Sequence, residues 1–291
     1  MSIDRLQANI RKLKNPSIVD FTADAAQIPP HILEQESDFT NAYGRFCAEL
    51  LSALRDRVPA VRFSLNMFAL MDNGLKLLSE LTQLARDFGF YVFVDAPLSL
   101  SLQQAEMAAE HIFSKNCDFY FDGIIISTYI GSDGLRPYVQ QLVGGDQMLV
   151  AVVRTANKTA PELQDLLTGS RHVHHAMADI ANRYTDANRG RSGYSNIAFL
   201  TAANAAESIR NLRTKQKNVF LFIDGYDAPS ANAKICSMAF DSLGHGAAAC
   251  AGTSITAAWV ADNDTGENYI QLSLDAVERM KKNLCRYIDI L

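Results

Sequence analysis

Eight short apolar runs, each followed by a stretch with helical spacing, constrain this chain more than any other feature. The runs are Ser17-Ile-Val-Asp-Phe21, Ala60 to Leu65, Tyr91 to Asp95, Gly123 to Ser127, Met148 to Val153, Ile197 to Leu200, Val219 to Ile223 and Ala247 to Ala251. Their apolar residues mostly do not alternate with polar ones, which is the pattern of strands covered on both faces. Amphipathic segments follow at about 38–57, 75–88, 102–115, 135–142, 161–183, 203–212 and 230–243. Eight βα units in one chain predict an α/β protein of the (β/α)8 TIM-barrel class. The rival, an open dinucleotide-binding sheet, needs a glycine-rich turn after the first strand, and Asp20-Phe-Thr-Ala-Asp24 contains no glycine. A single barrel domain over 1–291 is expected, with an N-terminal helix at 3–14 and a C-terminal helix at 268–290 packed on it.

The totals narrow the function classes. The chain has 291 residues, 48% hydrophobic and 20% charged, with a net charge of −5. Clustered Lys and Arg, the footprint of nucleic-acid binding, is missing. The five cysteines, Cys47, Cys117, Cys236, Cys250 and Cys285, are scattered, with no Cys-x-x-Cys. That predicts free thiols in a reducing cytoplasm. The opening Met1 to Leu6 lacks the apolar core of a signal peptide, and no stretch approaches a membrane-spanning length.

Function in a barrel sits at the C-terminal strand ends. There the chain carries Val94-Asp95-Ala96, Tyr129-Ile-Gly-Ser-Asp133 with Pro137-Tyr138, Val153-Arg-Thr-Ala-Asn157 with Gln164-Asp-Leu166, and Asp224-Gly-Tyr-Asp-Ala228. In order and spacing these blocks resemble those of the orotidine 5′-monophosphate decarboxylases of the longer subgroup: Asp-Ala-Lys-Arg-Gly-Asp, Pro-Tyr-Leu-Gly-Ser-Asp, Val-Arg-Thr-Ser-Asn and Pro-Gly-Tyr-Gly-Ala. Ser2 to Leu6 and Ile28-Pro29 also fit, so the resemblance runs through nearly the whole chain.

The resemblance implies a cofactor-free carboxy-lyase of pyrimidine nucleotide synthesis, working as a homodimer. In that chemistry a lysine ammonium stabilises and then protonates a ring carbanion, and carboxylates flank it. Carried over position by position, the array is largely missing. The first Asp is Asp95, the lysine position is Pro97, and the second Asp, which reaches across the dimer, is Leu100. The strand-two lysine is Arg62, a poor proton donor because its pKa exceeds about 12. The ribose-gripping Asp falls at Thr22, beside Asp20 and Asp24. The pyrimidine-reading Ser is Ala156, the Gln after strand seven is Pro229, and no Arg stands in Gly252 to Ile255. Losing one preorganised charged group costs about 10²–10³-fold in rate.

The leading expectation is therefore a decarboxylase-like barrel that has lost decarboxylation and binds another small ligand, a nucleotide or phosphate among the candidates, or a partner. The alternatives are a working decarboxylase with a relocated lysine such as Lys158, and a dimeric interaction protein without a ligand. Asp95 and Arg62 are the catalytic candidates, and a buried Asp95–Arg62 ion pair is the structural alternative for both. Thr22, Ser127, Arg154, Thr155, Asp224, Tyr226, Thr253 and Ser254 are the ligand-binding candidates, with the amides of Gly252-Thr-Ser available to a phosphate. No metal or cofactor is expected. On a helix, His172, His175 and Asp179 would share a face and His174 would point elsewhere, the reading being a solvated face rather than a metal site. Asp186 to Ser195 is either a surface loop or a lid over an anion. Cys250 lacks a base, and Trp259 is core or interface.

Overall fold

The computed structural model describes residues 1–291 apart from Ala23, Pro97 and Val143. Eight parallel strands close on themselves, as expected. In chain order they are β1 (Ser17–Phe21), β2 (Ala60–Ser64), β3 (Tyr91–Asp95), β4 (Gly123–Ser127), β5 (Met148–Val152), β6 (Ile197–Ala202), β7 (Leu221–Asp224) and β8 (Ala247–Ala251). Each strand pairs with its sequence neighbours, and β1 pairs with β8 to complete the ring.

Alternation along each strand divides the core in two. On β1 and β2, Phe21 and Phe63 face outward, stacked at 5.2 Å, beneath Tyr43 and Phe68 of the surrounding helices. On β3, Tyr91, Phe93 and Asp95 form the inward column. The Tyr91 hydroxyl lies 2.6 Å from Ser2 Oγ at the foot of the barrel. The Phe93 ring meets Phe222 of β7 edge-on at 5.1 Å in the middle. Asp95 ends the column at the mouth. Gly123 makes room for this column, because a Cβ there would lie 2.6 Å from the Phe93 ring. Burying a phenylalanine is worth about 1.5–3 kcal/mol, so this aromatic layer is a firm floor for whatever lies above it.

The N-terminal helix, Ser2–Leu13, buries Ile3, Leu6 and Ile10 and covers the foot. Ser2 N–H donates to the Gly145 carbonyl at 2.7 Å and Ile3 N–H to Asn196 Oδ1 at 2.9 Å, both groups lying just before strands. The closing helix, Tyr269–Leu284, stops short of the expected 290. Ile288 and Ile290 remain buried in the tail beyond it.

Three expectations are corrected. The segment 161–183 is not one helical region. A short antiparallel ribbon, Leu167–Thr168 with Arg171–His172, turns at Gly169 before a helix over Val173–Asn182. The helix expected over 230–243 shrinks to Ala233–Ser237, started by the Asn232 side chain, which accepts the Ile235 N–H at 3.0 Å. The third is the lid alternative for Asp186 to Ser195. This segment enters β6 from below, so it lies at the foot of the barrel, opposite the mouth. Its Arg191 and Ser192 N–H groups donate to the Asp4 carboxylate at 3.1 and 2.7 Å. It cannot close over a ligand at the strand ends.

Candidate functional site

The mouth is organised by Arg62. The parallel register sets Arg62 opposite Asp20, so both side chains point inward at the same level. Barrel closure brings β7 across from β2. There Arg62 Nη1 donates to Asp224 Oδ1 at 2.7 Å, while Nη2 is bonded to Asp20 Oδ2. The guanidinium also rests over the Phe222 ring, 5.7 Å from its centroid. One cation therefore serves two carboxylates on a hydrophobic floor.

Asp95 does not form the expected ion pair with Arg62. Its Oδ1 is buried and has no hydrogen-bond partner among the described residues. Burial lifts its carboxyl from 3.8 to about 7; Arg62 opposes this, and Asp20 and Asp224 add to it. Burial also raises the Asp20 carboxyl against the pull of Arg62. Arg62 stays charged: burial works against its proton, but the fields of Asp20 and Asp224 outweigh it. Cys250 is held as a neutral thiol by burial, which removes it as a nucleophile.

Above this group lies a cavity of about 270 Å³, lined among others by Arg62, Asp95, Ser127, Thr155 and Asp224. Five of the ten candidate residues are thus brought together. The structure sets the other five elsewhere. Thr22 opens on a separate groove of about 770 Å³ beside Asp24, Asn41 and Met67. Arg154 turns away and forms two 2.9 Å bonds with the Asp165 carboxylate. The Tyr226 backbone N–H donates to the Cys250 carbonyl, and its ring packs on the core. Thr253 and Ser254 lie exposed beyond β8. Pro97, at the lysine position of the motif, lies outside the described residues. Leu98 lines the cavity, and Leu100 is 72% exposed.

Sequence reasoning missed three residues. Asn66, on the short helix Leu65–Ala69 that follows β2, lines the cavity. Asp20, not Thr22, is the inward carboxylate of β1; its place two residues after Ile18 on the same face was the available signal. Asp227 accepts the N–H of Gly252 at 2.7 Å and of Ser254 at 3.4 Å, and the Ser254 hydroxyl donates to its other oxygen. Nothing local in the sequence pointed to that contact.

The histidines also differ from expectation. His172 ends the ribbon, so it is not on the helix. The three imidazoles cluster, with ring centroids 4.3–5.5 Å apart, and His174 is 4% exposed. Asp179 pairs with Arg171 instead. No group of three or more His, Cys, Asp or Glu among the described residues is placed to hold a metal. The cluster braces the site: His174 Nδ1 is 2.8 Å from the Gln164 carbonyl, and the Gln164 side chain accepts the Thr155 N–H and donates to its hydroxyl, both at 2.8 Å. Burial, then the neighbouring imidazoles and Lys215, depress His175 to about 4. Burial also lowers His174, so His174 and His175 are neutral near pH 7.

Closed parallel strands with a cavity at their C-terminal ends define a (β/α)8 barrel. No family model matches the chain. Over 286 residues it is 24% identical to the orotidine 5′-phosphate decarboxylase of Clostridium novyi (strain NT), covering 98% of both proteins. It is 25% identical to that of Clostridium botulinum (strain Loch Maree / Type A3), covering 98% of this chain and 99% of the relative. The fold matches the Plasmodium berghei orotidine 5′-monophosphate decarboxylase with a TM-score of 0.75 at 12% identity, over 98% of each chain. It matches the Leishmania donovani orotidine monophosphate decarboxylase with a TM-score of 0.69 at 16% identity, over 97% and 98%. Over nearly its whole length the chain is similar in sequence and fold to orotidine 5′-phosphate decarboxylases. No helix among the described residues is long and apolar enough to cross a membrane.

Proposed function

We propose that this barrel has lost decarboxylation and binds a different small molecule at its mouth. One observation carries the reading: the only cation lining the cavity, among the described residues, is Arg62, and it is already committed to Asp20 and Asp224. Decarboxylation in this fold needs an ammonium that both stabilises a carbanion and delivers a proton. A guanidinium is a poor proton donor, and both Nη groups of this one are already bonded to Asp20 and Asp224. Lys158, the candidate for a relocated amine, is exposed and does not line the cavity. The retained volume of about 270 Å³ and the hydroxyls of Ser127 and Thr155 support a binding role over a purely structural one.

The homodimer implied by the resemblance is part of the proposal. Leu98, Leu100 and Met107, beside the strand-three loop, are 62%, 72% and 64% exposed, and a second copy would cover them.

The test is to incubate the purified protein with orotidine 5′-phosphate and follow its loss of ultraviolet absorbance. No turnover above background is expected. Turnover that disappears in Asp95→Asn would refute the proposal.

A further inference from the structure

We propose that Asp227 is a built-in anion that keeps phosphorylated molecules out of the mouth, so that the ligand is a small molecule without a phosphate. This rests on the reading of the mouth as a ligand site and adds the class of ligand.

The loop after the eighth strand is where (β/α)8 barrels commonly present backbone N–H groups to a phosphate. Here those groups already have an anion. Gly252 N–H and Ser254 N–H donate to one oxygen of Asp227, at 2.7 and 3.4 Å, and the Ser254 hydroxyl donates to the other. The carboxylate is delivered by the loop after β7. Gly225 sits at φ 74°, where a Cβ would lie 2.5 Å from Ala156, and the turn it allows lets Tyr226 N–H reach the Cys250 carbonyl at 2.9 Å. Asp227 follows immediately.

The charges around the cavity point the same way. Arg62 is shared by Asp20 and Asp224, and Asp95, two residues beyond the register partner of Arg62, adds a third acid to the mouth. No Arg or Lys occurs in Gly252 to Thr256 to receive a phosphate. A phosphate entering the β8 loop would have to displace Asp227 or sit beside it. A like charge about 4 Å away costs a factor of about five per charge even in water, and more in a shielded cleft. The ligand that fits is one that donates hydrogen bonds to the surplus acceptors and carries no strong anion.

The experiment is calorimetric titration of the full chain, at fixed ionic strength, with inorganic phosphate and with the matched pair orotidine and orotidine 5′-phosphate. The proteins are the wild type, Asp227→Gly and Asp227→Asn, each checked by its melting curve. Asp227→Asn keeps the shape and removes the charge, so it serves if the glycine variant folds poorly. The wild type is expected to bind orotidine 5′-phosphate no better than orotidine, and at least one folded variant to gain tenfold or more in affinity for inorganic phosphate. The proposal is overturned if neither folded variant gains, or if the wild type already prefers the phosphorylated partner. The loss of decarboxylation is judged separately, by turnover of orotidine 5′-phosphate, so the two readings fail on different readouts.

Discussion

Replacing Asp95 by asparagine tests the electrostatics of the mouth most directly. The carboxyl titrates near 7 in the folded barrel against 3.8 as a free group, because it is buried and lacks a partner for one oxygen. At ~1.4 kcal/mol per pH unit, keeping it ionised in the native state costs about 4 kcal/mol. The sign follows from the raised pKa. The native state holds the proton more tightly than the unfolded state, so this stability is complete below 3.8 and is lost as pH rises through about 7. The asparagine side chain would match the protonated form in shape and would not titrate. Urea unfolding of both proteins between about pH 4.5 and pH 8.5 should show the variant gaining on the wild type as pH rises. The gap should widen by about 3 kcal/mol and level off above neutrality. A gap that changes by less than about 1 kcal/mol across that range would show that water or a counter-charge reaches Asp95, and would refute the reading of its carboxyl as desolvated.

Arg62→Met should destabilise the fold by about 3–5 kcal/mol at pH 8, since it strands Asp20 and Asp224 without their shared cation. Part of the loss should return on acidification as the carboxyls take up protons, which urea unfolding at pH 5 would reveal. At the foot, burial pushes the Asp4 carboxyl up, but the N–H groups of Ser192 and Arg191 outweigh it and bring the pKa to about 2. Its contribution is therefore present above 3.8 and lost as pH falls through about 2, the opposite sense to Asp95. Asp4→Ala should expose 186–195 to limited proteolysis at neutral pH while leaving ligand affinity at the mouth unchanged.

What the sequence determined by itself was the frame. Each strand is a short local run of residues that bury well, so eight runs and seven intervening helical stretches could be counted without knowing what touches what. The resemblance to orotidine 5′-phosphate decarboxylases followed from blocks at the strand ends, and so did the absence of the usual lysine and phosphate-binding arginine. Asp95, Ser127, Thr155 and Asp224 were recognisable as mouth residues because strand ends in a barrel all open at one rim. Partners were another matter. Arg62 could have met Asp95 on the next strand; only ring closure and inter-strand register gave it Asp20 and Asp224 instead. The 186–195 segment could be a surface loop or a lid in one dimension and lies at the foot in three, because a loop that enters a strand and a loop that leaves one sit at opposite ends. Asp227 carries no local mark of its role. Its carboxylate reaches the β8 loop because adjacent strands deliver their loops side by side, and that adjacency is a property of the closed sheet rather than of any stretch of chain.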